Sequence, residues 1–217
     1  MKNNNNDTSI LLNFKNVSFS YSDNKVLDNF NLKLLPRENI TIVGKNGSGK
    51  TTILNLADAL ITPDSGNIEL FGLVLNEQNQ LIYRKKIGYL FQDPASQILN
   101  TKVLDDICFK PKNIGFSKED SLLMALDISK ELQIDNLLDK FIHELSIGEL
   151  QMVALAGVMV DNPKILLLDE PTSNLDGERK KIVKNALNRR LHEGIGILSV
   201  SHDENFLDFA TKVVELS

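Results

Sequence analysis

The chain has 217 residues, a formal net charge of -5 and a single cysteine. Its length predicts one domain with a sizeable core, and its acidic balance argues against a protein that binds nucleic acid through a broad basic face. Cys108 alone cannot form an internal disulfide, and no apolar stretch approaches the roughly 18 residues of a membrane span. The polar start does not resemble a signal peptide, so we expect a soluble, intracellular chain that works at a membrane only through a partner.

Residues 1–9 are rich in asparagine and are predicted to be a disordered lead-in, which leaves residues 10–217 as one domain. The first predicted elements are strands, because apolar and polar residues alternate in three runs, at residues 11–14, 17–21 and 30–34. With a turn at residues 22–24, these runs predict a small antiparallel sheet. It leads into a further apolar strand, residues 40–43.

The pattern G-x-x-x-x-G-K-[ST] occurs at residues 44–51, which we call the phosphate loop. It lies between that strand and a helix predicted from apolar spacing over residues 53–60. Its glycines allow positive φ angles and close approach, so that successive N–H groups point at phosphate oxygens. The helix N-terminus adds partial positive charge, Lys50 reaches the β- and γ-phosphates, and Thr51 places its hydroxyl on Mg²⁺. The predicted nucleotide-binding residues here are Gly44, Lys45, Asn46, Gly47, Ser48, Gly49, Lys50, Thr51 and Thr52.

The later part of the chain changes from a helical pattern to apolar strands separated by a helix. Apolar residues at spacings of three and four predict a helical insertion over about residues 94–160. Two continuous apolar strands follow at residues 165–168 and 195–200, separated by a charged helix over residues 178–192. Buried parallel strands that alternate with helices predict an α/β core.

Two carboxylates, Asp169 and Glu170, directly follow the first of these buried strands. Open α/β sheets bind their ligands at the carboxyl ends of the strands. Asp169 is therefore a candidate to hold Mg²⁺, directly or through water, and Glu170 is a candidate general base that orients water toward a γ-phosphate. A buried strand followed by acidic residues is a moderate signal by itself; together with the phosphate loop it predicts nucleotide hydrolysis.

At this point the chain resembles the ATPase subunits of ATP-binding-cassette (ABC) transporters, from about residue 11 to the C-terminus. Besides the two motifs above, it carries further short motifs in the order of that family: Tyr21, Gln92, residues 145–149 (Leu-Ser-Ile-Gly-Glu), residues 173–176 (Ser-Asn-Leu-Asp) and residues 201–203 (Ser-His-Asp). The resemblance implies an α/β fold with a P-loop NTPase (RecA-like) core, an N-terminal antiparallel β subdomain and an inserted α-helical subdomain. It also implies ATP and Mg²⁺ as ligands.

The resemblance assigns roles to these positions. Tyr21 would stack on adenine, although an ordinary strand tyrosine is the alternative. Gln92 would reach Mg²⁺ and the attacking water, and His202 would be the switch histidine that contacts the γ-phosphate and the water. Ser146 and Gly148 would bind the γ-phosphate held by a second ATPase subunit, and residues 173–176 would cross the dimer interface.

The signature segment, residues 145–149, departs from the family pattern Leu-Ser-Gly-Gly-Gln. Ile147 replaces a glycine, which adds bulk and costs of order 1 to 3 kcal/mol if an unusual backbone conformation is required. Glu149 adds a negative charge near an anionic ligand, and Met152 stands where the family often has arginine. The partner is therefore either a different ATPase subunit with an intact signature, which gives two unequal sites, or another copy of this chain.

The run over residues 91–99 (Phe-Gln-Asp-Pro-Ala-Ser-Gln-Ile-Leu) resembles the energy-coupling factor (ECF) type, which imports vitamins and cobalt or nickel ions. That type implies a peripheral ATPase on the cytoplasmic face of the cell membrane, with a transmembrane coupling subunit and a substrate-binding membrane subunit. A groove near Gln92 would receive a coupling helix of the transmembrane subunit. Asp105 or Asp106 would meet its arginines, with a solvated acidic turn as the alternative.

Two other functions stay open at the level of sequence. One is an ABC ATPase coupled to another membrane process, such as lipoprotein release or cell division. The other is a non-transport ABC ATPase that acts in DNA repair or on the ribosome. The run after Gln92 disfavours the first, and the single short cassette and acidic balance disfavour the second.

Overall fold

The computed structural model describes residues 10–76 and 78–216, and the predicted lead-in at residues 1–9 lies outside them. The strands are β1 (Leu12–Tyr21), β2 (Asn24–Leu34), β3 (Asn39–Gly44), β4 (Ser65–Leu70), β5 (Leu73–Val74), β6 (Ile87–Leu90), β7 (Ile165–Asp169), β8 (Gly196–Val200) and β9 (Lys212–Leu216). The α-helices are α1 (Lys50–Ala57), α2 (Gln80–Arg84), α3 (Val103–Ile107), α4 (Phe109–Ile114), α5 (Lys118–Glu131), α6 (Ile147–Met159), α7 (Gly177–His192) and α8 (Glu204–Leu207).

The strands form two sheets. The first has the order β2-β1-β4-β5, and its neighbouring strands all pair antiparallel. The second has the order β6-β7-β8-β3-β9, and its neighbours all pair parallel. The predicted α/β fold class with an N-terminal antiparallel sheet is confirmed.

The parallel sheet separates two apolar cores, because side chains alternate across a strand. On β7, Ile165 and Leu167 pack with α1 and the antiparallel sheet, whereas Leu166 and Leu168 pack with the helices between residues 103 and 159 and with α7. All five residues of β7 and of β8 are buried. This two-sided burial produced the continuous apolar runs seen in the sequence.

The region predicted to be helical contains α3, α4, α5 and α6, and α6 is buried on most sides. Limits of 94 and 160 for a separate subdomain stay a prediction. None of the helices within the described residues is long and apolar enough to cross a membrane.

Several strands escaped the sequence analysis for physical reasons. β4 exposes its first three residues, β5 exposes both, and the edge strand β9 has no fully buried residue, so each lacks a clear apolar signal. β6 has only four residues. The first predicted strands at residues 11–14 and 17–21 are one irregular strand, β1, whose pairing register shifts between Phe14 and Val17.

Candidate active site

The carboxyl ends of β3, β7 and β8 open into one cleft of about 490 Å³. Because β8 lies between β7 and β3 in the parallel sheet, the loops that follow these strands emerge side by side. Of the residues predicted from the sequence, the structure brings together in the cleft Tyr21, Asn46, Gly47, Gly49, Lys50, Thr51, Thr52, Gln92, Asp169, Glu170 and His202.

The loop after β3 has the backbone that an anion cradle requires. Gly47 and Gly49 have φ angles of 81° and 96°, a region that residues with a Cβ rarely adopt. Helix α1 starts at Lys50, whose Nζ donates to the carbonyl oxygens of Gly44 at 2.8 Å and Lys45 at 2.9 Å. The two loop carbonyls therefore hold the lysine ammonium, and its positive charge, at the start of α1.

The hydroxyl of Thr51 donates to Oδ2 of Asp169 at 2.7 Å, which joins the end of β7 to the first turn of α1. Asp169 is only 2 % exposed. Burial raises the pKa of its carboxyl above the ordinary value, opposed by the Thr51 hydrogen bond and the Lys50 charge. A hydroxyl and a carboxylate in contact are hard oxygen donors of the kind that Mg²⁺ prefers, so this pair fits the predicted metal site.

Glu170 holds a positive φ of 51° and its backbone N–H donates to the carbonyl of Val200 at 2.9 Å. His202 approaches the same carboxylate, with its N–H 3.4 Å from Oε2 and its Nε2 3.6 Å from Oε1. Burial raises the pKa of Glu170, and the His202 N–H opposes that shift. Glu170 thus lines the cleft with a backbone conformation that is strained for a residue with a Cβ, and such strain clusters at functional sites.

Tyr21 and Gln92 lie on other sides of the cleft. Tyr21 ends β1, is 49 % exposed and makes an edge-on contact with Phe19 at 4.8 Å between ring centroids. Gln92 is exposed, and the preceding residue is fixed by a 3.0 Å hydrogen bond from the Phe91 N–H to Oε1 of Gln97. An aromatic face and an exposed amide are thus both available to a ligand in the cleft.

Five predicted residues do not line the cleft: Gly44, Lys45, Ser48, Ser146 and Gly148. Gly44 is the last residue of β3, and Lys45 and Ser48 lie in the loop that follows it. Within the described residues, the Ser48 hydroxyl oxygen is buried without a hydrogen-bond partner, an arrangement that suits a loop built around an anionic ligand. Ser146 and Gly148 stand at the start of α6, where a second subunit would have to bring its own cleft to meet them.

The signature segment does not behave as its sequence suggested. Ile147 is the first residue of α6 and is not among the residues with positive φ, so the expected strain is absent and only its bulk, 61 % exposed, remains. Glu149 turns back on Ser146: its Oε2 accepts from the Ser146 N–H at 2.9 Å and from the Ser146 hydroxyl at 2.8 Å. Those hydrogen bonds lower the pKa of Glu149. Met152 is buried in the core.

Sequence reasoning missed three cleft residues, Val200 at the end of β8 and, on β2, Asn24 and Val26. A methyl of Val26 lies 2.5 Å from the place where a Cβ on Gly49 would stand, so the strand backs directly onto the phosphate loop. None of these residue types indicates chemistry by itself. Only the predicted hairpin, extended toward the loop, could have indicated the two residues on β2.

The fold and the cleft together define a P-loop ATPase with its acidic residues at the end of a buried strand. A family model described as ABC transporter matches residues 27–173, and the chain belongs to this family. It is an ABC ATPase, which confirms the family and the enzyme class predicted from the sequence.

Relatives and solved structures agree with this assignment. The chain is 37 % identical over 206 residues to the energy-coupling factor transporter ATP-binding protein EcfA1 of Oenococcus oeni, covering 94 % of this chain and 74 % of that protein. It is similar to the dimeric post-hydrolysis state of the ATP-binding cassette MJ0796 bound to ADP and Pi, with a TM-score of 0.88, 27 % identity and coverage of 95 % and 94 %. CbiO1 of Clostridium perfringens, part of the ABC transporter complex cbiONQ, has a TM-score of 0.86 and 29 % identity, with coverage of 96 % and 85 %.

Proposed function

We propose that this chain is the ATP-hydrolysing subunit of an ECF-type importer and powers uptake of a vitamin or a transition-metal ion. It works on the cytoplasmic face of the membrane with a transmembrane coupling subunit and a substrate-binding membrane subunit. The run over residues 91–99 supports this class, as do relatives named as ECF transporter ATP-binding proteins at 34 to 37 % identity.

One observation carries the proposal: the loop with Gln92 lies between the nucleotide cleft and a second groove. Gln92 lines the cleft, whereas Phe91 and Gln97 line the groove, and the hydrogen bond from Phe91 to Gln97 fixes the loop between them. A change at the nucleotide can therefore move the wall of the groove. This is the arrangement that a transport ATPase needs.

The groove has a volume of about 430 Å³ and a largely apolar rim. Leu81, Leu99 and Phe109 are 68, 67 and 41 % exposed there, which is unusual for large apolar side chains outside an interface. An amphipathic coupling helix would bury these side chains. The groove thus suits the transmembrane subunit as its occupant.

The acidic residues predicted to meet that helix are not equally available. Oδ1 of Asp106 accepts from the N–H groups of Leu99 at 2.8 Å and Asn100 at 2.9 Å, so this oxygen holds the groove's own loop. Asp105 is exposed and does not line the groove. We therefore assign Asp106 to loop structure first and retain only its second oxygen as a contact for the helix.

The proposed chemistry divides among the cleft residues. Lys50 and the loop amides neutralise charge on the phosphates, Tyr21 stacks on the base, Glu170 takes a proton from water, and Gln92 and His202 orient that water. Thr51, Asp169 and Gln92 would hold Mg²⁺, which neutralises the charge that develops on the phosphate oxygens when it is bound. Ser146 and Gly148 complete the site of a second subunit.

The geometry of the signature favours a partner with a different sequence. Glu149 already occupies the Ser146 hydroxyl, and its charge stands where a γ-phosphate would approach. A phosphate that binds at this half-site must therefore displace a carboxylate and overcome the repulsion between the two negative charges. We propose a heterodimer in which the site completed by this chain's signature is the weaker one.

We expect the double variant Ile147→Gly with Glu149→Gln to strengthen that weaker site and raise ATP turnover about tenfold. A glutamine keeps an oxygen for the Ser146 N–H while it removes the charge, and glycine removes the exposed bulk. Steady-state ATPase rates of the purified chain, alone and with its partner ATPase, measure the effect. Glu144→Gln, which changes an acid in the preceding turn, is the control. If the chain hydrolyses ATP rapidly as a homodimer, and the double variant does not change that rate, the proposal of two unequal sites is contradicted.

The groove also contains a titrating group whose effect on stability can be measured. Asp58 is 5 % exposed, and burial raises its pKa from 3.8 to about 6, opposed by Arg84, whose Nε lies 3.2 Å from Oδ2, and by Lys110. The pKa of Tyr89 is raised mainly by burial and, in smaller part, by the nearby negative charge of Asp58. Since the folded state binds the proton more tightly than the unfolded chain, stability falls as pH rises from about 4 to about 6.

The variant Asp58→Asn is expected to raise the free energy of unfolding by on the order of 2 kcal/mol at pH 8 and by almost nothing below pH 4. Urea unfolding at several pH values measures this difference. Asp105→Asn, at an exposed site, serves as the matched control and should change stability little at either pH. An equal effect of Asp58→Asn at both pH values would contradict burial as the cause.

The proposed function is tested by purifying the tagged chain from detergent-solubilised membranes. We expect two integral-membrane subunits to accompany it, one of them a solute-binding protein, and ATPase activity to rise in the complex. Replacing Leu99 with aspartate should release the membrane subunits without loss of ATP binding. Recovery with ribosomes or DNA, or with a lipoprotein-releasing permease, would overturn the importer assignment.

A further inference from the structure

One carboxylate outside the cleft connects the three segments that surround the Glu170–His202 pair. Asp203 directly follows His202, and its Oδ2 accepts from Nζ of Lys180 at 2.8 Å and from the hydroxyl of Thr172 at 3.1 Å. Thr172 lies two residues after Glu170, and Lys180 lies in the first turn of α7. Asp203 therefore touches the loop of the base, the loop of the histidine and a helix.

The arrangement is ordered rather than an incidental surface pair. The side chain of Asp203 is 14 % exposed, that of Lys180 is 33 % exposed and Thr172 is 2 % exposed. Oδ1 of Asp203 also accepts from the Asn205 N–H at 3.1 Å and so begins α8. Although burial opposes the shift, the bonds from Lys180 and Thr172 hold the pKa of Asp203 below its ordinary value, so the group stays ionised.

Helix α7 begins immediately after residues 173–176, the loop expected to meet the second subunit, and Asp176 is its N-cap. A displacement of that loop moves the first turn of α7 and with it Lys180. The contacts between His202 and Glu170 are long, at 3.4 and 3.6 Å. Their geometry consequently depends on how the two loops are held from outside the cleft.

We infer that Lys180 and Asp203 are positioning residues that fix His202 against Glu170 and couple this pair to the subunit-facing loop through α7. The inference rests on the proposed roles of Glu170 and His202. It assigns no contact with the nucleotide to either residue, since neither lines the cleft. Loss of the Lys180–Asp203 ion pair should thus lower turnover and leave ATP affinity intact.

The test is steady-state ATP hydrolysis by the full-length chain, isolated with the subunits that accompany it. Lys180→Ala should lower kcat about tenfold with KM within about twofold of the parent protein. Lys180→Arg, which preserves the cation, should restore kcat. Lys181→Ala removes the same charge from the next residue, which is exposed and forms no ion pair within residues 10–76 and 78–216, and should have no effect.

Asp203→Asn keeps one oxygen, which still accepts from the Asn205 N–H, and places an amide NH2 where Oδ2 accepts from Lys180 and Thr172, so the ion pair is lost. Combining it with Lys180→Ala should cost no more kcat than either change alone, because both remove the same interaction. Additive losses, a Lys180→Ala protein with the parent kcat, or a rise in KM that accounts for the loss would overturn the inference.

His202→Ala separates this inference from the proposed function. If His202→Ala abolishes turnover while Lys180→Ala retains the parent kcat, the inferred role of Lys180 and Asp203 is wrong and the assigned role of His202 stands. If His202→Ala retains the parent kcat, the assigned role of His202 is wrong, and the inferred role of Lys180 and Asp203, which depends on it, is wrong as well. Melting temperatures within a few degrees of the parent protein confirm that each variant is folded.

Discussion

Replacing Glu170 with glutamine is expected to lower ATP hydrolysis at least 100-fold while ATP binding persists. Glutamine has the same shape and can still accept the N–H of His202, but it cannot take a proton from water. The positive φ of 51° is required equally of both residues, so the fold at the end of β7 should be unchanged. The loss therefore isolates the proton transfer.

The same variant should accumulate as an ATP-bound dimer. Without hydrolysis the nucleotide stays between the cleft of one subunit and the signature of the other, and the closed state becomes the dominant one. Size-exclusion chromatography with and without ATP, together with the hydrolysis rate, measures both effects. Glu204→Gln, the same chemical change at an exposed residue just beyond His202, is the control. Normal hydrolysis by Glu170→Gln would show that the assigned base is wrong.

The sequence was sufficient for the class of fold because its strongest signals are local. The loop at residues 44–51 carries its glycines at fixed spacing, and β7 and β8 are apolar throughout because both faces of the parallel sheet are covered. The order of the motifs then specified the family. Every site role assigned this way still stands as a prediction, even where the structure gathers the residues in one cleft.

What the sequence could not show depends on contacts between distant residues. Glu149 was expected to add a negative charge near a phosphate, but the sequence did not show that its carboxylate also caps the helix by accepting from the N–H and the hydroxyl of Ser146. Asp106 was a candidate either to meet arginines of a coupling helix or to lie in a solvated acidic turn, yet its Oδ1 accepts from the amides of Leu99 and Asn100. A carboxylate has the same letter in the sequence whether it is free or engaged, so its availability follows from the folded backbone.

The largest effect on nucleotide binding is expected at Gly49. This residue has a φ of 96°, and a Cβ there would lie 2.5 Å from a methyl of Val26 and 3.6 Å from one of Leu27. An alanine thus adds left-handed strain, worth on the order of 1 to 2 kcal/mol, to an overlap that pushes β2 away from the loop. We expect Gly49→Ala to weaken ATP binding at least 100-fold.

Gly47 provides the matched comparison, because it has a similar φ of 81° but nothing within 4 Å of the added Cβ. Gly47→Ala should therefore show the strain alone, about a tenfold loss of ATP affinity. Isothermal titration with ATP, alongside thermal unfolding to verify folding, measures both. Trimming Val26 to alanine in the Gly49→Ala background should recover the part of the loss due to overlap. Equal losses at the two glycines would mean that the contact between β2 and the phosphate loop has no role in shaping the nucleotide site.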